Sequence, residues 1–179
     1  MKKAASVFLR KDIKAEDIRK LIGWLQNENI IRYLNESRFA TDSLLYLLDN
    51  VQPHLLTLYF NQKGRFYLVC GKHNPDIAIG FIRLLDLPDN RYEVVYVIGE
   101  EQLWGRGFGK AALREALNIL FFENRAKAVS AKINRKNIRS VHMATHCGMR
   151  AVKTGESITE YSMTFEEYLK KAGTCEMFI

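Results

Sequence analysis

A strand-like segment that passes through a glycine-rich turn into a helix constrains the fold of this chain most. Residues Arg91 to Ile98 are rich in Val, Ile and Tyr, as is typical of a strand. The following turn has glycine at alternate positions, Gly105, Gly107 and Gly109, and Lys110 opens a helical pattern. Glycine lets the backbone approach a ligand closely, and the free N–H groups of a first helical turn attract anions. The segment therefore predicts a phosphate-binding turn.

The side chains around these glycines also favour an anionic ligand. Arg106 and Lys110 place positive charge where a pyrophosphate needs it. A nucleotide P-loop does not fit, because that motif requires a glycine five residues before Gly109 and a serine or threonine after the lysine. This chain has Trp104 and Ala111 at those positions. The P-loop interpretation therefore fails twice.

Two other interpretations of the glycines remain open from spacing alone. The dinucleotide fingerprint fits Gly107, Gly109 and Ala112, but its acidic residue, expected about 20 positions later, is absent from the segment Ile133 to Arg135. The other interpretation is a tight turn without a ligand. Three alternate glycines before an amphipathic helix favour a pyrophosphate site, and residues 105–110 are called the cradle below.

Length and composition indicate one folded domain. The 179 residues suffice for a core without disulfides, and 47% hydrophobic with 26% charged residues is ordinary globular usage. A disordered or fibrous chain is thereby excluded. We expect a single domain over residues 1–179, with its core at about 7–168.

Charge, cysteines and apolar runs limit the partners and the cellular setting. The net charge of +7 favours an anionic partner without choosing one. The 3 cysteines are widely spaced and form no CxxC pair, and His142 and His146 share a helical face without a third ligand. No apolar run is long enough for a signal sequence or a membrane span. We expect a cytoplasmic protein without a metal, a membrane partner or a direct nucleic-acid partner.

Hydrophobic periodicity predicts a mixed order of strands and helices. Strands are expected at residues 6–10, 65–70, 77–85, 91–98, 126–133, 149–153 and 158–164, and helices at 15–26, 29–34, from about 41, at 110–123 and at 137–146. The three strands between 65 and 98 are separated by turn-forming residues and should form an antiparallel meander. The helix at 110–123 has an apolar face made of Ala112, Leu113, Ala116, Leu117, Leu120 and Phe121. The prediction is one α+β domain with a mixed sheet flanked by helices.

The cradle resembles that of the GNAT superfamily of acetyl-CoA-dependent N-acetyltransferases. The family pattern is Gln or Arg, two residues, Gly, one residue, and Gly or Ala, and this chain has Trp104-Gly-Arg-Gly107-Phe-Gly109. Trp in the first position is familiar in the branch that resembles the ribosomal-protein N-terminal acetyltransferases. A second block, Asn137-Ile-Arg-Ser140 followed by Gly148-Met149, is similar to the same branch in order and spacing. The resemblance covers nearly the whole chain.

The resemblance implies a mostly antiparallel sheet that is splayed between its fourth and fifth strands, with the cosubstrate acetyl-CoA in the cleft. Backbone groups near the end of the fourth strand would pair with the pantetheine arm, the cradle amides would hold the pyrophosphate, and Asn137 would hydrogen-bond the arm. The residues expected to bind acetyl-CoA are then Val97, Ile98, Gly99, Trp104, Gly105, Arg106, Gly107, Phe108, Gly109, Lys110, Asn137 and Ser140.

Acetyl transfer to an amine requires a base, because an alkyl ammonium has a pKa of about 10. Glu93 is the candidate base, since it shares a strand face with Val95 and Val97, and apolar neighbours would raise the pKa of its carboxyl. A glutamate that faces water is the alternative. Ser140 is the candidate that protonates or hydrogen-bonds the leaving thiolate. Many relatives use a tyrosine where this chain has Ala144, so such an acid is missing or supplied elsewhere.

The expected function is direct transfer of an acetyl group from acetyl-CoA to a primary amine. A protein or peptide α-amine is favoured over a polyamine, an antibiotic or an amino acid. The alternative is a catalytically silent acyl-CoA-binding or regulatory module on the same fold, in which Glu93 and Ser140 do no chemistry. A basic nucleic-acid-binding domain is a third hypothesis, but the chain carries no signature of one. A homodimer is compatible with all of these hypotheses.

Overall fold

The computed structural model describes residues 5–34 and 39–176. The strands of this part are β1 (Val7–Arg10), β2 (Arg65–Gly71), β3 (Asn74–Leu87), β4 (Arg91–Ile98), β5 (Ala128–Asn134), β6 (Arg150–Thr154) and β7 (Ile158–Thr164). Its α-helices are α1 (Ala15–Leu25), α2 (Glu28–Ile31), α3 (Phe39–Asn50), α4 (Leu56–Phe60), α5 (Phe108–Asn118), α6 (Ile138–Cys147) and α7 (Phe165–Glu176). None of these helices is long and apolar enough to cross a membrane.

One sheet forms the centre of the molecule, with the strand order β1-β2-β3-β4-β5-β7-β6. Neighbouring strands are antiparallel, except for the parallel pair of β4 and β5. The predicted meander is confirmed as β2, β3 and β4. A parallel pair needs a crossover connection, and α5 supplies it. The predicted mixed, mostly antiparallel sheet is confirmed.

β4 and β5 pair along only part of their length. Arg91–Glu93 lies beside Ala128–Ser130, and the register between the two strands ends there. Residues 94–98 and 131–134 therefore separate towards the carboxyl ends of the strands. The predicted splay is confirmed. Backbone groups that a continuous sheet would pair are left facing the gap.

Helices cover both faces of the sheet. The face under α5 contains a large apolar core. All six residues predicted for the apolar face of the helix at 110–123 are buried, four of them on α5 and two, Leu120 and Phe121, in the π-helical turn Ile119–Glu123 that follows it. That prediction is confirmed. The opposite face is covered by α1 and α3, and its core includes Ile18, Leu21, Trp24, Leu44, Leu68 and Phe81. A leucine buried in either core contributes about 2 kcal/mol relative to an exposed one.

β3 starts earlier than the sequence predicts. Its first residue, Asn74, pairs with Gly71, whereas Cys70 pairs with Ala78, so the residues between Asn74 and Ala78 form a bulge. A bulge tolerates Pro75, which has no N–H to donate to a neighbouring strand. The turn-forming residues predicted to separate the strands are instead part of β3.

Several helical segments differ from the prediction, and two of them, α4 and α7, were not predicted. α7 follows the last predicted strand. Its aromatic residues Phe165 and Tyr168 pack on Phe121 with ring centroids 5.8 and 4.9 Å apart, so tertiary contacts stabilise the helix. α3 begins at Phe39, slightly before the expected Thr41. The ends of helices depend on capping contacts that periodicity does not show.

Candidate active site

The cradle follows β4 and opens α5. Gly105 and Gly107 have φ angles of 71° and 89°, in the left-handed region that glycine adopts without strain. The N–H groups of Phe108, Gly109 and Lys110 lie in the first turn of α5, where no carbonyl of the described residues accepts from them and no side chain caps the helix. Together with the positive end of the helix dipole, these groups form an anion site.

Two residues predicted to bind the cosubstrate, Arg106 and Phe108, do not line the cavity between β4 and β5. The Arg106 N–H donates to the Leu103 carbonyl at 3.3 Å, so this cradle amide is already bonded, and the Arg106 side chain is exposed. Phe108 packs its ring against the core under α5. The predicted contact of the Arg106 amide with the pyrophosphate is therefore corrected, because the tight turn before the cradle uses that N–H.

Gly109 has a packing role that spacing did not reveal. A Cβ atom at this position would lie 2.6 Å from the Met143 Sδ atom and 3.5 Å from the Ile98 Cγ1 atom. The distance to the Met143 Sδ atom is far shorter than an ordinary van der Waals contact. Gly109 therefore lets α5 lie close to α6, in addition to opening the cradle.

Trp104 connects three elements around the cradle. Its indole Nε1–H donates to the Ile98 carbonyl at 2.7 Å, which ties the cradle to the end of β4. The Arg139 guanidinium lies over the indole ring, 3.6 Å from the ring centroid, and this contact links Trp104 to the start of α6. Such a cation–π contact stabilises the arrangement by about 1 kcal/mol. Trp104 thus holds the cradle in place.

Backbone pairing decides which groups of β4 face the gap. The Gly99 N–H donates to the Ile79 carbonyl at 2.9 Å, so the backbone of Gly99 pairs with β3. In an antiparallel strand the backbone N–H and C=O groups of successive residues face alternate sides. Val97, two residues before Gly99, therefore also pairs with β3. The predicted backbone bonds of Val97 and Gly99 to the pantetheine arm are corrected for this reason. The backbones of Tyr96 and Ile98 face the gap instead.

A cavity of about 500 Å³ occupies the gap between β4 and β5. Of the residues predicted to bind acetyl-CoA, it is lined by Val97, Ile98, Trp104, Gly105, Gly107, Gly109, Lys110, Asn137 and Ser140. At the side of α2 it is lined by Asn29, Ile30, Tyr33 and Leu34. None of the described residues that line it is an aspartate or a glutamate. The cavity thus joins the cradle to a mostly apolar chamber that no carboxylate of residues 5–34 and 39–176 lines.

Asn137, Ser140 and Tyr96 meet at the start of α6. The Asn137 Oδ1 atom accepts from the Ser140 N–H at 3.2 Å and caps the helix. The Tyr96 hydroxyl donates to the Ser140 carbonyl at 3.3 Å, across the gap from β4. Burial raises the pKa of the Tyr96 phenol. The sequence pattern brought Asn137 and Ser140 together, but it did not indicate Tyr96.

Glu93 has surroundings that the sequence did not predict. Its Oε2 atom lies 2.6 Å from the Lys132 Nζ atom on β5, where apolar neighbours were expected. The register places Glu93 beside Ser130, and Lys132 is two residues further along on the same face. The hydrogen bond that Lys132 donates to Glu93 raises the pKa of the Lys132 ammonium. Lys132 lines the cavity and Glu93 does not, so the expectation of an apolar environment for Glu93 is wrong.

The cradle side of the cavity carries two histidines. His142 and His146 lie one turn apart on α6, and the Lys110 Nζ atom contacts the His146 Nε2 atom. The positive charge of Lys110 lowers the pKa of His146, and Lys171 contributes in the same direction. The helical spacing of the two histidines was visible in the sequence, but only a metal was considered for them. Residues 5–34 and 39–176 contain no cluster of side chains suited to a metal ion.

The comparisons with known proteins agree with this geometry. The model of the acetyltransferase (GNAT) domain family matches residues 7–150. Among curated protein sequences, none matches this chain significantly.

Solved structures share the fold. The spermidine N-acetyltransferase of Vibrio cholerae, solved with CoA and spermine, has a TM-score of 0.72 and 18% identity, over 92% of this chain and 98% of that chain. A GNAT-family acetyltransferase of Bacillus anthracis has a TM-score of 0.70 and 17% identity, over 92% of this chain and 98% of that chain. A domain from Methanocaldococcus jannaschii has a TM-score of 0.70 and 19% identity, over 89% of this chain and 99% of that chain. At these identities the likeness shows the fold alone.

The family match covers most of the chain, and it includes β4, the cradle and α5, from which the anion site is built. The sheet is splayed at the strand that precedes the cradle, and the cavity lies in that splay. This protein therefore belongs to the GNAT superfamily of acetyltransferases, which transfer the acetyl group of acetyl-CoA to an amine.

Proposed function

We propose that this enzyme acetylates the N-terminal α-amine of a protein or peptide. The observation that carries the proposal is the lining of the cavity, which includes Lys132 and no described carboxylate. The blocks around Trp104 and Asn137, which resemble the ribosomal-protein branch of the family, support the same acceptor. The proposed acetyl-CoA site consists of the cradle amides other than that of Arg106, together with Ile98, Asn137 and Ser140.

An α-amine suits a chamber of this charge better than other biological amines. Its pKa is about 8, against about 10.4 for a lysine-type amine, so a substantial fraction is neutral at physiological pH without a base. A polyamine carries several ammonium groups, which Lys132 would repel and no described lining carboxylate would attract. The apolar side chains Ile30 and Leu34 would contact the first side chain of the acceptor.

Glu93 keeps a role in this proposal through its ion pair. It holds Lys132 at the cavity and keeps that ammonium protonated. A direct role of Glu93 as the base would require Lys132 to move aside. We propose Glu93 as a positioning residue, and its predicted role as the base stays a prediction.

The acceptor preference should depend on Lys132. Lys132→Gln removes the charge that repels cationic acceptors, so the ratio of kcat/KM for a peptide α-amine to kcat/KM for spermidine should fall about tenfold. The measurement is a rate assay with both acceptors at saturating acetyl-CoA. Lys127→Gln is the matched control, since this exposed lysine adjoins β5 outside the cavity, and it should leave the ratio unchanged. A parent enzyme that prefers spermidine to every peptide would overturn the proposed acceptor.

Binding of the cosubstrate should tighten as the pH falls. Lys110 holds the pKa of free His146 below its ordinary 6.5, and a bound pyrophosphate would raise it by adding negative charge. The complex then binds more protons than the free enzyme. The affinity for the cosubstrate therefore rises as the pH falls through the pKa of His146 in the complex, and it becomes constant below the pKa of His146 in the free enzyme. We expect the affinity to be about fivefold higher at pH 5.5 than at pH 7.5.

Calorimetric titration with dephospho-CoA at several pH values measures this pH dependence of the affinity. Dephospho-CoA is used because it lacks the 3′-phosphate of CoA, which titrates separately. His146→Gln should flatten the pH dependence. His73→Gln, in the exposed turn between β2 and β3, should not. A dependence that survives in the His146 variant would assign it to another group.

A further inference from the structure

We infer that Tyr96 is a catalytic residue, which donates the proton taken up by the leaving thiolate. The inference rests on acetyl transfer in this cavity and holds for any amine acceptor. It concerns a residue of β4 that neither the cradle pattern nor the second sequence block includes.

The fold places the Tyr96 hydroxyl at the splay. Tyr96 lies two residues before Ile98, and both have backbone groups that face the gap. Its side chain lines the cavity and crosses from β4 to the first turn of α6, where its hydroxyl meets the Ser140 carbonyl. A thioester whose arm runs from the cradle along β4 would pass this hydroxyl. The bond to Ser140 is long at 3.3 Å, so the proton can be redirected to a better acceptor.

Other proton donors in the cavity are less suitable. Tyr33 belongs to the acceptor side, next to α2, and His146 is held at the cradle by Lys110. Ser140 lines the cavity, but an aliphatic hydroxyl is a far weaker acid than a phenol. Burial keeps Tyr96 protonated at neutral pH, and the same apolar surroundings raise the pKa of a thiol formed beside it.

The proposed step balances as follows in atoms and charge. The amine nitrogen forms a bond to the acetyl carbon, the electron pair of the C–S bond moves to sulfur, and sulfur takes the Tyr96 hydroxyl proton. The tyrosinate then takes a proton from water in the cavity, while the nitrogen releases one to solvent. The products are the amide and the thiol of CoA.

The first test compares two tyrosines of the same strand face. Tyr96→Phe should lower the rate of acetyl transfer in single turnovers roughly 100-fold, with the Kd for acetyl-CoA unchanged within about threefold. Tyr92→Phe is the matched control, because Tyr92 lies on the same face of β4 outside the cavity, and it should leave both quantities unchanged. A Tyr96→Phe enzyme that reacts within about threefold of the parent rate overturns the inference.

A second variant separates proton donation from a structural role of the ring. A fluorinated tyrosine at position 96 preserves the ring and the hydroxyl but lowers the phenol pKa. If Tyr96 donates the proton, the single-turnover rate should fall at high pH, with a midpoint that moves down as fluorine atoms are added. A ring that only supports α6 would give the parent pH profile, and that outcome overturns the inference. This variant also serves if Tyr96→Phe fails to fold.

Discussion

Gly107→Asp should weaken acetyl-CoA binding nearly 1,000-fold, whereas Gly107→Asn should weaken it less than about tenfold. Both side chains tolerate the left-handed backbone at this position, where φ is 89°, and they are nearly equal in size. A Cβ atom here would meet only the Ala5 Cβ atom, at 3.5 Å, so the space is available. The two variants differ in charge, and a carboxylate about 4 Å from a phosphate costs roughly 4 kcal/mol.

Isothermal titration with acetyl-CoA measures this difference directly. Thermal melting of both variants, within a few degrees of the parent, would show that the fold is preserved. If both variants lose binding equally, the cause is bulk or strain and the charge argument fails. If the aspartate variant binds like the parent, the pyrophosphate lies elsewhere, and the proposed cosubstrate site has to be abandoned.

Gly99→Ala should destabilise the fold by about 3 kcal/mol, which lowers Tm by roughly 10 °C in a chain of this size. A Cβ atom at Gly99 would lie 2.1 Å from the Trp24 Cδ2 atom and 2.2 Å from its Cε2 atom. The Trp24 ring is 6% exposed within the core under α1, so it has little room to move. The end of β4 would shift instead, and the Gly99 bond to Ile79 would weaken.

Two companion variants make this prediction specific. Gly23→Ala places a methyl group on α1, the helix that carries Trp24, at a position with no other atom within 4 Å. This variant should stabilise the protein by about 0.5 to 1 kcal/mol. Trp24→Leu should destabilise the parent but relieve the clash, so the double variant should be at least about 1 kcal/mol more stable than the two single effects predict. Additive effects in denaturant unfolding would show that Trp24 is not the obstacle.

Local patterns in the sequence were sufficient for the frame of the site. The alternation of β4, the glycines of the cradle and the apolar face of α5 are properties of consecutive residues, and each predicted the observed element. The splay was implied by the family resemblance and is confirmed by the register between β4 and β5. The α7 helix was not predictable in this way, because its aromatic contacts with Phe121 join distant parts of the chain.

Glu93 illustrates where local reasoning stops. Alternation placed Glu93 correctly on the face of Val95 and Val97, but the neighbour that matters, Lys132, belongs to a strand 39 residues away. A pattern within one strand contains no information about the side chains of the strand beside it. The charge of the cavity, and with it the proposed acceptor, depends on that pairing.

The sequence by itself determined the family and the order of most elements, and it predicted an anion site at the start of α5, since these depend on the spacing of nearby residues. The tertiary structure decided which backbone groups of β4 face the gap, because Gly99 pairs with Ile79 on β3. It also decided that the Tyr96 hydroxyl reaches Ser140 across the splay. Both are contacts between segments that only the packed sheet brings together, and the chemistry of the cavity depends on them.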